Sequence, residues 1–184
     1  NWYPAADRES IATRKNVSLF ELTPFAKFEL RGKNTHKELQ IICSNNISNI
    51  PGKTTYTQML NKHGGIEADL SISCMEEDKF LITTGSAVRY HDKHWIEKNI
   101  NSNSQIEFKD VTENFAVIGI MGPNSRSLLS LISSENFETS HFPFATAKYI
   151  FINDKKIWAQ RLSYVGELGW ELFIPIESAK EVYK

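Results

Sequence analysis

Two acidic side chains lie where strands usually carry apolar residues. The first is Glu171, in the stretch 170–174 (WELFI), whose alternation predicts a strand with Trp170, Leu172 and Ile174 on one face and Glu171 on the other. A carboxylate within an apolar strand is costly to bury unless something pairs with it. Glu171 therefore either binds a group that donates hydrogen bonds or faces water, and the pattern alone leaves both interpretations open.

The residues before Glu171 predict a strand, a tight turn and then the strand that carries Glu171. Residues 157–164 alternate with the period of a strand. Gly166 and Gly169 then bracket the turn, and glycine adopts turn conformations that other residues resist. The turn would limit the freedom of Glu171.

The second acidic side chain is Asp69, in the stretch 64–70 (GGIEADL). Gly64 and Gly65 let the backbone pass close to a turn partner or to a ligand. Asp69 follows at strand spacing, although aspartate is depleted in strands. The alternative is a plain hairpin turn followed by a solvated carboxylate. The glycine spacing of phosphate-binding loops is absent.

Other combinations of reactive residues are weakly supported. His91 and His94 share a helical neighbourhood, but no carboxylate pattern beside them completes a zinc site, so we predict no metal centre. No serine lies in a GxSxG motif, which leaves a hydrolase triad unsupported. The stretch 122–124 (GPN), at a strand-to-helix junction, either caps the helix or binds an anion.

Composition narrows the function classes further. The net charge of −1 over 184 residues argues against a nucleic-acid groove or an anionic membrane surface as the main partner. No apolar run is long enough for a transmembrane helix. Cys43 and Cys74 lie far apart, which favours buried, reduced side chains and a reducing compartment.

Strands and helices alternate along the chain without regular βαβ spacing, which predicts an α+β fold rather than a doubly wound sheet. A helix is predicted from 122–124 to Ile132 with Pro123 in its first turn, and another begins at Ser178. The remaining predicted helices are 5–15, 35–43 and 87–99, and the predicted strands are 19–22, 25–30, 54–60, 66–74, 80–84, 106–111, 115–121, 147–153, 157–165 and 170–174.

Three segments in this order resemble the tetrahydrofolate-binding domain of the glycine-cleavage T-protein (aminomethyltransferase) superfamily: 64–70 (GGIEADL), 117–129 (VIGIMGPNSRSLL) and 163–172 (SYVGELGWEL). The chain is most similar to the folate region of dimethylglycine and sarcosine dehydrogenases. That branch is favoured by the stretches 1–30, 78–87 and 91–100, and by ELGWEL at 167–172, where T-proteins commonly have EDG. The resemblance implies that residues 1–184 are the N-terminal part of such a domain, excised from a longer chain. It also implies the T-protein-like form of the α+β class, with mixed, mainly antiparallel sheets and flanking helices.

The resemblance also implies roles for particular residues. Asp69 matches the family's catalytic aspartate, which lies beside the reactive N5/N10 edge of the folate. Tyr164 and Glu171 match the tyrosine and glutamate that contact the pterin, and their places on either side of the turn would let both point into one cavity. Gly65 and Gly85 would line the cofactor. Some relatives have an asparagine in the stretch 84–86, and the arginine that relatives contribute from further along would lie past Lys184.

The activity implied is capture of an oxidised N-methyl group as 5,10-methylenetetrahydrofolate. An N-terminal domain outside this chain would carry FAD, and the isolated fragment is expected to be inactive. The alternatives are a stand-alone aminomethyltransferase or folate-dependent demethylase, and a non-catalytic regulatory subunit that keeps the fold. The implied partners are a small-molecule folate and a covalently linked flavin domain, with no nucleic acid and no membrane, in a bacterial cytoplasm or a mitochondrial matrix.

Overall fold

The computed structural model describes all residues from Asn1 to Lys184. The helices are α1 (Tyr3–Lys15), α2 (Thr35–Ile42), α3 (Arg89–Asn99), α4 (Ser125–Ile132) and α5 (Ala179–Tyr183). The strands are β1 (Ser18–Glu21), β2 (Ala26–Arg31), β3 (Thr54–Leu60), β4 (Ile66–Glu76), β5 (Lys79–Thr84), β6 (Glu107–Asp110), β7 (Phe115–Met121), β8 (Ala147–Ile152), β9 (Lys155–Gln160) and β10 (Gly169–Pro175). No helix combines the length and the apolar character needed to cross a membrane.

The chain forms two compact units, and each has its own sheet. Unit 1 comprises Asn1–Thr23 and Asn114–Lys184, and unit 2 is the continuous segment Pro24–Glu113. The sheet of unit 1 has the strand order β1-β7-β10-β9-β8, and that of unit 2 has the order β3-β4-β5-β2-β6. All pairings are antiparallel. The predicted α+β class is therefore confirmed.

The main hydrophobic cluster of unit 1 lies on one face of its sheet, although Val117, Trp158 and Phe173 on the other face are also buried. Trp170, Leu172 and Ile174 of β10 enter this core, as their alternation predicts. Phe137 and Phe142, from the segment between α4 and β8, pack edge-on against the Trp170 indole at centroid distances of 5.6 and 6.0 Å. The opposite face of β10 carries Glu171.

The main hydrophobic cluster of unit 2 likewise lies on one face of its sheet, although Ser73, Leu81 and Thr83 on the other face are also buried. Ala68, Leu70 and Ile72 of β4 are buried in it together with Leu39 of α2 and Ile96 of α3. Asp69 and its neighbours at even spacing therefore lie on the other face of the strand. Cys43 and Cys74 are free and buried, as predicted.

The structure corrects two local predictions. The strand expected at 157–165 ends at Gln160, and the next five residues, including Tyr164, lie in an irregular loop that leads to β10. The helix expected to include Pro123 begins only at Ser125. Gly122 has φ +136°, a conformation that would strain any other residue, and the amide of Ser125 closes a turn on its carbonyl.

Candidate functional site

Glu171 lies at the centre of the sheet of unit 1. Its register partners are Gly119 on β7 and Gln160 on β9. The side chain is only partly exposed, and burial raises the pKa of the carboxyl from its ordinary value of 4.5 to about 7. Burial is the only cause of this shift, so no donor of the protein compensates the charge. Of the two interpretations that the sequence leaves open, the structure therefore favours a buried carboxylate that is costly to ionise.

Gln160 adds a second uncompensated polar group beside Glu171. Its side chain is fully buried, and neither its amide nitrogen nor its amide oxygen has a hydrogen-bond partner. Directly opposed residues on antiparallel strands place their Cβ atoms about 5 Å apart, so the two polar groups are immediate neighbours. Buried polar groups are normally satisfied, and exceptions point to a binding role or an unfilled hydrogen bond.

Gly119 and Phe20 continue the row that begins with Gln160 and Glu171. Phe20 of β1 is the register partner of Gly119. A Cβ added at Gly119 would lie 2.9 Å from Met121 Cε and 3.3 Å from Phe20 Cβ, so a larger residue at this position would require the Met121 side chain to move. One face of the sheet therefore carries, across four neighbouring strands, an amide, a carboxylate, a backbone position without a side chain, and an aromatic ring.

Tyr164 is brought close to Glu171 by the loop after β9. Burial, followed by the negative charge of Glu171, raises the pKa of the Tyr164 hydroxyl. The Tyr164 ring packs edge-on against Phe20 at a centroid distance of 5.5 Å. The structure thus assembles the two side chains that the sequence singled out, although it does so from a loop and a strand rather than from two strands.

Helix α1 fixes the loop that carries Tyr164. Arg14 donates one hydrogen bond to the Val165 carbonyl and another, of 3.0 Å, to the Glu167 carboxylate. Between these two acceptors, Gly166 takes φ +78°. This contact could not be predicted from local pattern, because 151 positions separate Arg14 from Val165.

In unit 2, Asp69 is exposed on β4 and accepts a hydrogen bond of 3.0 Å from the Gln58 amide of β3. Hydrogen bonding to Asp69 is also the main cause that raises the pKa of the Tyr56 hydroxyl, two residues before Gln58. Neither partner was predicted. Counting back from Leu60 opposite Ile66 in the predicted hairpin would place Gln58 opposite Ala68. A register shift between Met59 and Leu60 moves the pairing by one residue, so that Gln58 lies opposite Asp69.

The two predicted ligand-lining glycines have different surroundings. Gly65 donates its amide to the Asn61 side chain at 3.0 Å, and an added Cβ would lie 2.8 Å from that side chain, so the turn alone accounts for this glycine. Gly85 has φ −62°, and an added Cβ would meet only Val88 at 3.6 Å. The fold does not require glycine at position 85. The folate roles of Asp69, Tyr164, Glu171, Gly65 and Gly85 stay predictions.

The chain is similar to a group of amine-oxidising and aminomethyl-transferring proteins. It is 32% identical over 185 residues to dimethylglycine dehydrogenase from Rattus norvegicus, and this alignment covers 100% of the chain and 22% of the relative. It is 35% identical over 191 residues to sarcosine dehydrogenase from Homo sapiens, covering 96% of the chain and 21% of the relative. The chain thus spans about a fifth of the length of these curated relatives.

A solved structure and a family model agree with these similarities. The crystal structure of aminomethyltransferase T of the glycine cleavage system from Bartonella henselae superposes with a TM-score of 0.81 at 19% identity, over 96% of this chain and 46% of that one. This likeness shows the fold. The family model described as the GCVT N-terminal domain matches residues 1–184. The chain therefore belongs to the GCVT N-terminal domain family.

Proposed function

We propose that this chain is the folate-binding, one-carbon-transfer region of a flavin-dependent N-methyl amine dehydrogenase of the dimethylglycine or sarcosine type. Its family and the names of its relatives support this proposal. The intact protein would oxidise the amine in a separate flavin domain that holds FAD. This region would capture the released carbon.

The observation that carries the proposal is the uncompensated Glu171 carboxylate. A pterin ring presents an amino group and a neighbouring ring N–H, and a carboxylate accepts both in a two-point, charge-assisted pairing. Gln160 offers a donor and an acceptor next to it, both unpaired in the protein. Tyr164 and Phe20 add aromatic surface on the same side. These residues fit a planar heterocycle that is rich in hydrogen-bond donors.

Tetrahydrofolate supplies the N5 and N10 nitrogens that accept the one-carbon unit as 5,10-methylenetetrahydrofolate. Asp69 would accept a proton there, or stabilise the positive charge that develops at N10. Gln58 and Tyr56 restrict the orientation of its carboxylate from the neighbouring strand. The remaining catalytic effect would come from holding the reactants together.

A stand-alone aminomethyltransferase is the second candidate, since the fold of the Bartonella henselae protein covers nearly the whole chain. The two candidates differ in whether a flavin domain belongs to the same polypeptide. Absorbance of the purified full-length protein at flavin wavelengths distinguishes them directly.

The test of folate binding is calorimetry on the full-length protein with tetrahydrofolate, under reducing and anaerobic conditions. Glu171→Ala should weaken binding roughly ten- to a hundred-fold, because one charge-assisted pairing contributes about 1.5–3 kcal/mol. Glu177→Gln is the matched control, since Glu177 is exposed in the same unit. Absence of binding by the wild-type protein would mean that the domain does not bind folate, and would favour the regulatory-subunit alternative.

A further inference from the structure

A chain of polar side chains connects the hairpin turn of unit 2 with Asp69 and Gly85. The His91 network consists of Asn61, Glu67, His91, Asp92 and Thr84. The Asn61 amide donates to Glu67 at 2.8 Å, and Glu67 lies 3.4 Å from His91 Nε2. His91 Nδ1 lies 3.0 Å from Asp92, which in turn accepts a hydrogen bond of 2.5 Å from the Thr84 hydroxyl.

The network ends at the Thr84 hydroxyl, which lies beside two of the residues predicted to bind folate. Thr84 Oγ1 also lies 3.4 Å from the Asp69 carbonyl oxygen, and Gly85 is the next residue along the chain. A hydroxyl carries a single proton, so Thr84 donates to Asp92 at the shorter distance and not to Asp69. Asp92 thus decides which way the hydroxyl beside Asp69 is turned.

Asp92 is fully buried, and a buried carboxylate needs donors around it. Thr84 supplies one donor and His91 the other. Glu67 on β4 and Asp92 on α3 are the charged groups that face the imidazole, and β5 contributes the uncharged Thr84. Protonated histidine donates from both ring nitrogens, whereas neutral histidine donates from only one. Only protonated His91 can therefore satisfy both carboxylates at once.

We propose that protonated His91, acting through Asp92 and Thr84, is a positioning residue that holds Thr84 and the adjoining Gly85 segment in the geometry required for one-carbon transfer. This inference rests on the proposed function and extends it to a residue outside the predicted site. Loss of the His91 proton breaks one of its two hydrogen bonds. Either the hydrogen bond from His91 on α3 to Glu67 on β4 is then lost, or Asp92 keeps Thr84 as its one remaining side-chain donor and the position of Thr84 changes.

The hydrogen bond to Asp92 is the main cause that raises the pKa of His91, and the nearby charges of Asp92 and Glu67 add to it. The proton is therefore retained to a higher pH than on an isolated imidazole. Over the pH range in which His91 loses this proton, the rate of one-carbon transfer should fall as pH rises.

The experiment is the pH profile of folate-dependent one-carbon capture by the full-length protein, together with NMR titration of the His91 ring. For the wild-type protein we expect kcat to fall at high pH with the midpoint of the NMR titration. His91→Gln should lower kcat about tenfold and remove this midpoint. His94→Gln, at an exposed position on the same helix, is the control and should behave as the wild type.

A second pair of variants separates positioning from folding. Thr84→Ser keeps the hydroxyl and should retain activity, whereas Thr84→Val keeps the shape and should lower kcat without a comparable change in KM. A descending limb that persists unchanged in His91→Gln, with folate still bound, would overturn this inference alone. Failure of the wild-type protein to bind folate would instead overturn the proposed function.

Discussion

Arg14 and Glu167 form an ion pair of 3.0 Å that joins the end of α1 to the loop before β10. The same guanidinium donates to the Val165 carbonyl, so it holds the loop on both sides of Gly166. An exposed ion pair of this kind contributes at most about 1 kcal/mol. Its importance lies in where the loop places Tyr164.

Replacing Arg14 should weaken folate binding without touching the ligand. We expect Arg14→Met to raise the Kd for tetrahydrofolate about three- to tenfold, which corresponds to the loss of about one hydrogen bond that orders the loop. Calorimetry measures the affinity, and hydrogen exchange should show faster exchange in residues 162–168. Lys15→Met, at the neighbouring exposed position, should change neither quantity. Equal effects from both substitutions would assign the change to helix α1 as a whole.

The affinity for folate should depend on pH through Glu171. The carboxyl has a pKa of about 7 in the ligand-free protein, so below that pH a proton must leave before the carboxylate can accept hydrogen bonds from the pterin. Affinity should therefore fall about tenfold per pH unit as pH decreases below 7, and should level off above it. Calorimetry in buffers of different ionisation enthalpy would detect the released proton. Glu171→Gln should abolish the dependence, and a dependence that survives would exclude Glu171 as its source.

The same residue should destabilise the native protein at high pH. Because burial raises the folded-state pKa from 4.5 to about 7, the unfolded state loses this proton first. Stability from this group is fully present below about pH 4.5 and is lost by about pH 7, a change of roughly 3 kcal/mol. Glu171→Gln should therefore stabilise the protein at pH 8 relative to wild type, and by much less at pH 4.5. Denaturant unfolding of both proteins at the two pH values measures the difference.

Asp69 should affect the chemical step more than binding. We expect Asp69→Asn to lower kcat for one-carbon capture by about a hundredfold or more while the Kd for tetrahydrofolate changes little, because general acid–base groups typically contribute factors of about 10²–10⁴. Rapid-quench kinetics with pre-bound folate separates the two quantities. Glu77→Gln, an exposed acidic position in the same unit, is the control. A loss confined to Kd would make Asp69 a binding residue instead.

Two glycines allow a test of where glycine is required. Gly122→Ala should destabilise the protein strongly, because φ is +136° and the new Cβ would lie 2.3 Å from the Asn16 carbonyl oxygen. Gly85→Ala should leave stability unchanged within about 0.5 kcal/mol, since its backbone and surroundings accept a methyl group. Thermal unfolding measures both. Weaker folate binding by Gly85→Ala at unchanged stability would support the predicted ligand contact.

Hydrophobic alternation predicted β10 correctly because each of its faces has a distinct environment. Trp170, Leu172 and Ile174 enter the core, and Glu171 lies opposite them. The same alternation was misleading after Gln160. There the Arg161 backbone still exchanges hydrogen bonds with Ala145 and Thr146 in the segment before β8, but the strand ends. The Arg161 guanidinium donates to the Phe142 carbonyl at 2.6 Å. Local pattern does not encode such long-range hydrogen bonds.

Several site residues could not be predicted because their meaning depends on a partner that is distant in sequence. Gln160 is unremarkable until its register with Glu171 is known. From the sequence alone, His91 is only a weak candidate for a metal ligand. Its partner Glu67 can be identified only from the packing of α3 beside β4. The chemical properties of single side chains could be predicted from the sequence. Which side chains come into contact depends on the pairing of strands and the packing of helices, which the sequence pattern does not show.

Because unit 2 is inserted within unit 1, we expect unit 2 to fold before the sheet of unit 1 is complete. Strand β1 cannot pair until β7 exists, whereas all strands of unit 2 are complete by Glu113. Strands β2 and β6 are antiparallel neighbours with Phe28 opposite Asp110, so folding of unit 2 brings its own two ends together. Closing the long loop between β1 and β7 then costs far less entropy than it would for a disordered chain of the same length. Folding of unit 2 should thus bring β1 and β7 close together, and substitutions that slow the folding of unit 2 should also delay formation of the sheet that carries Glu171.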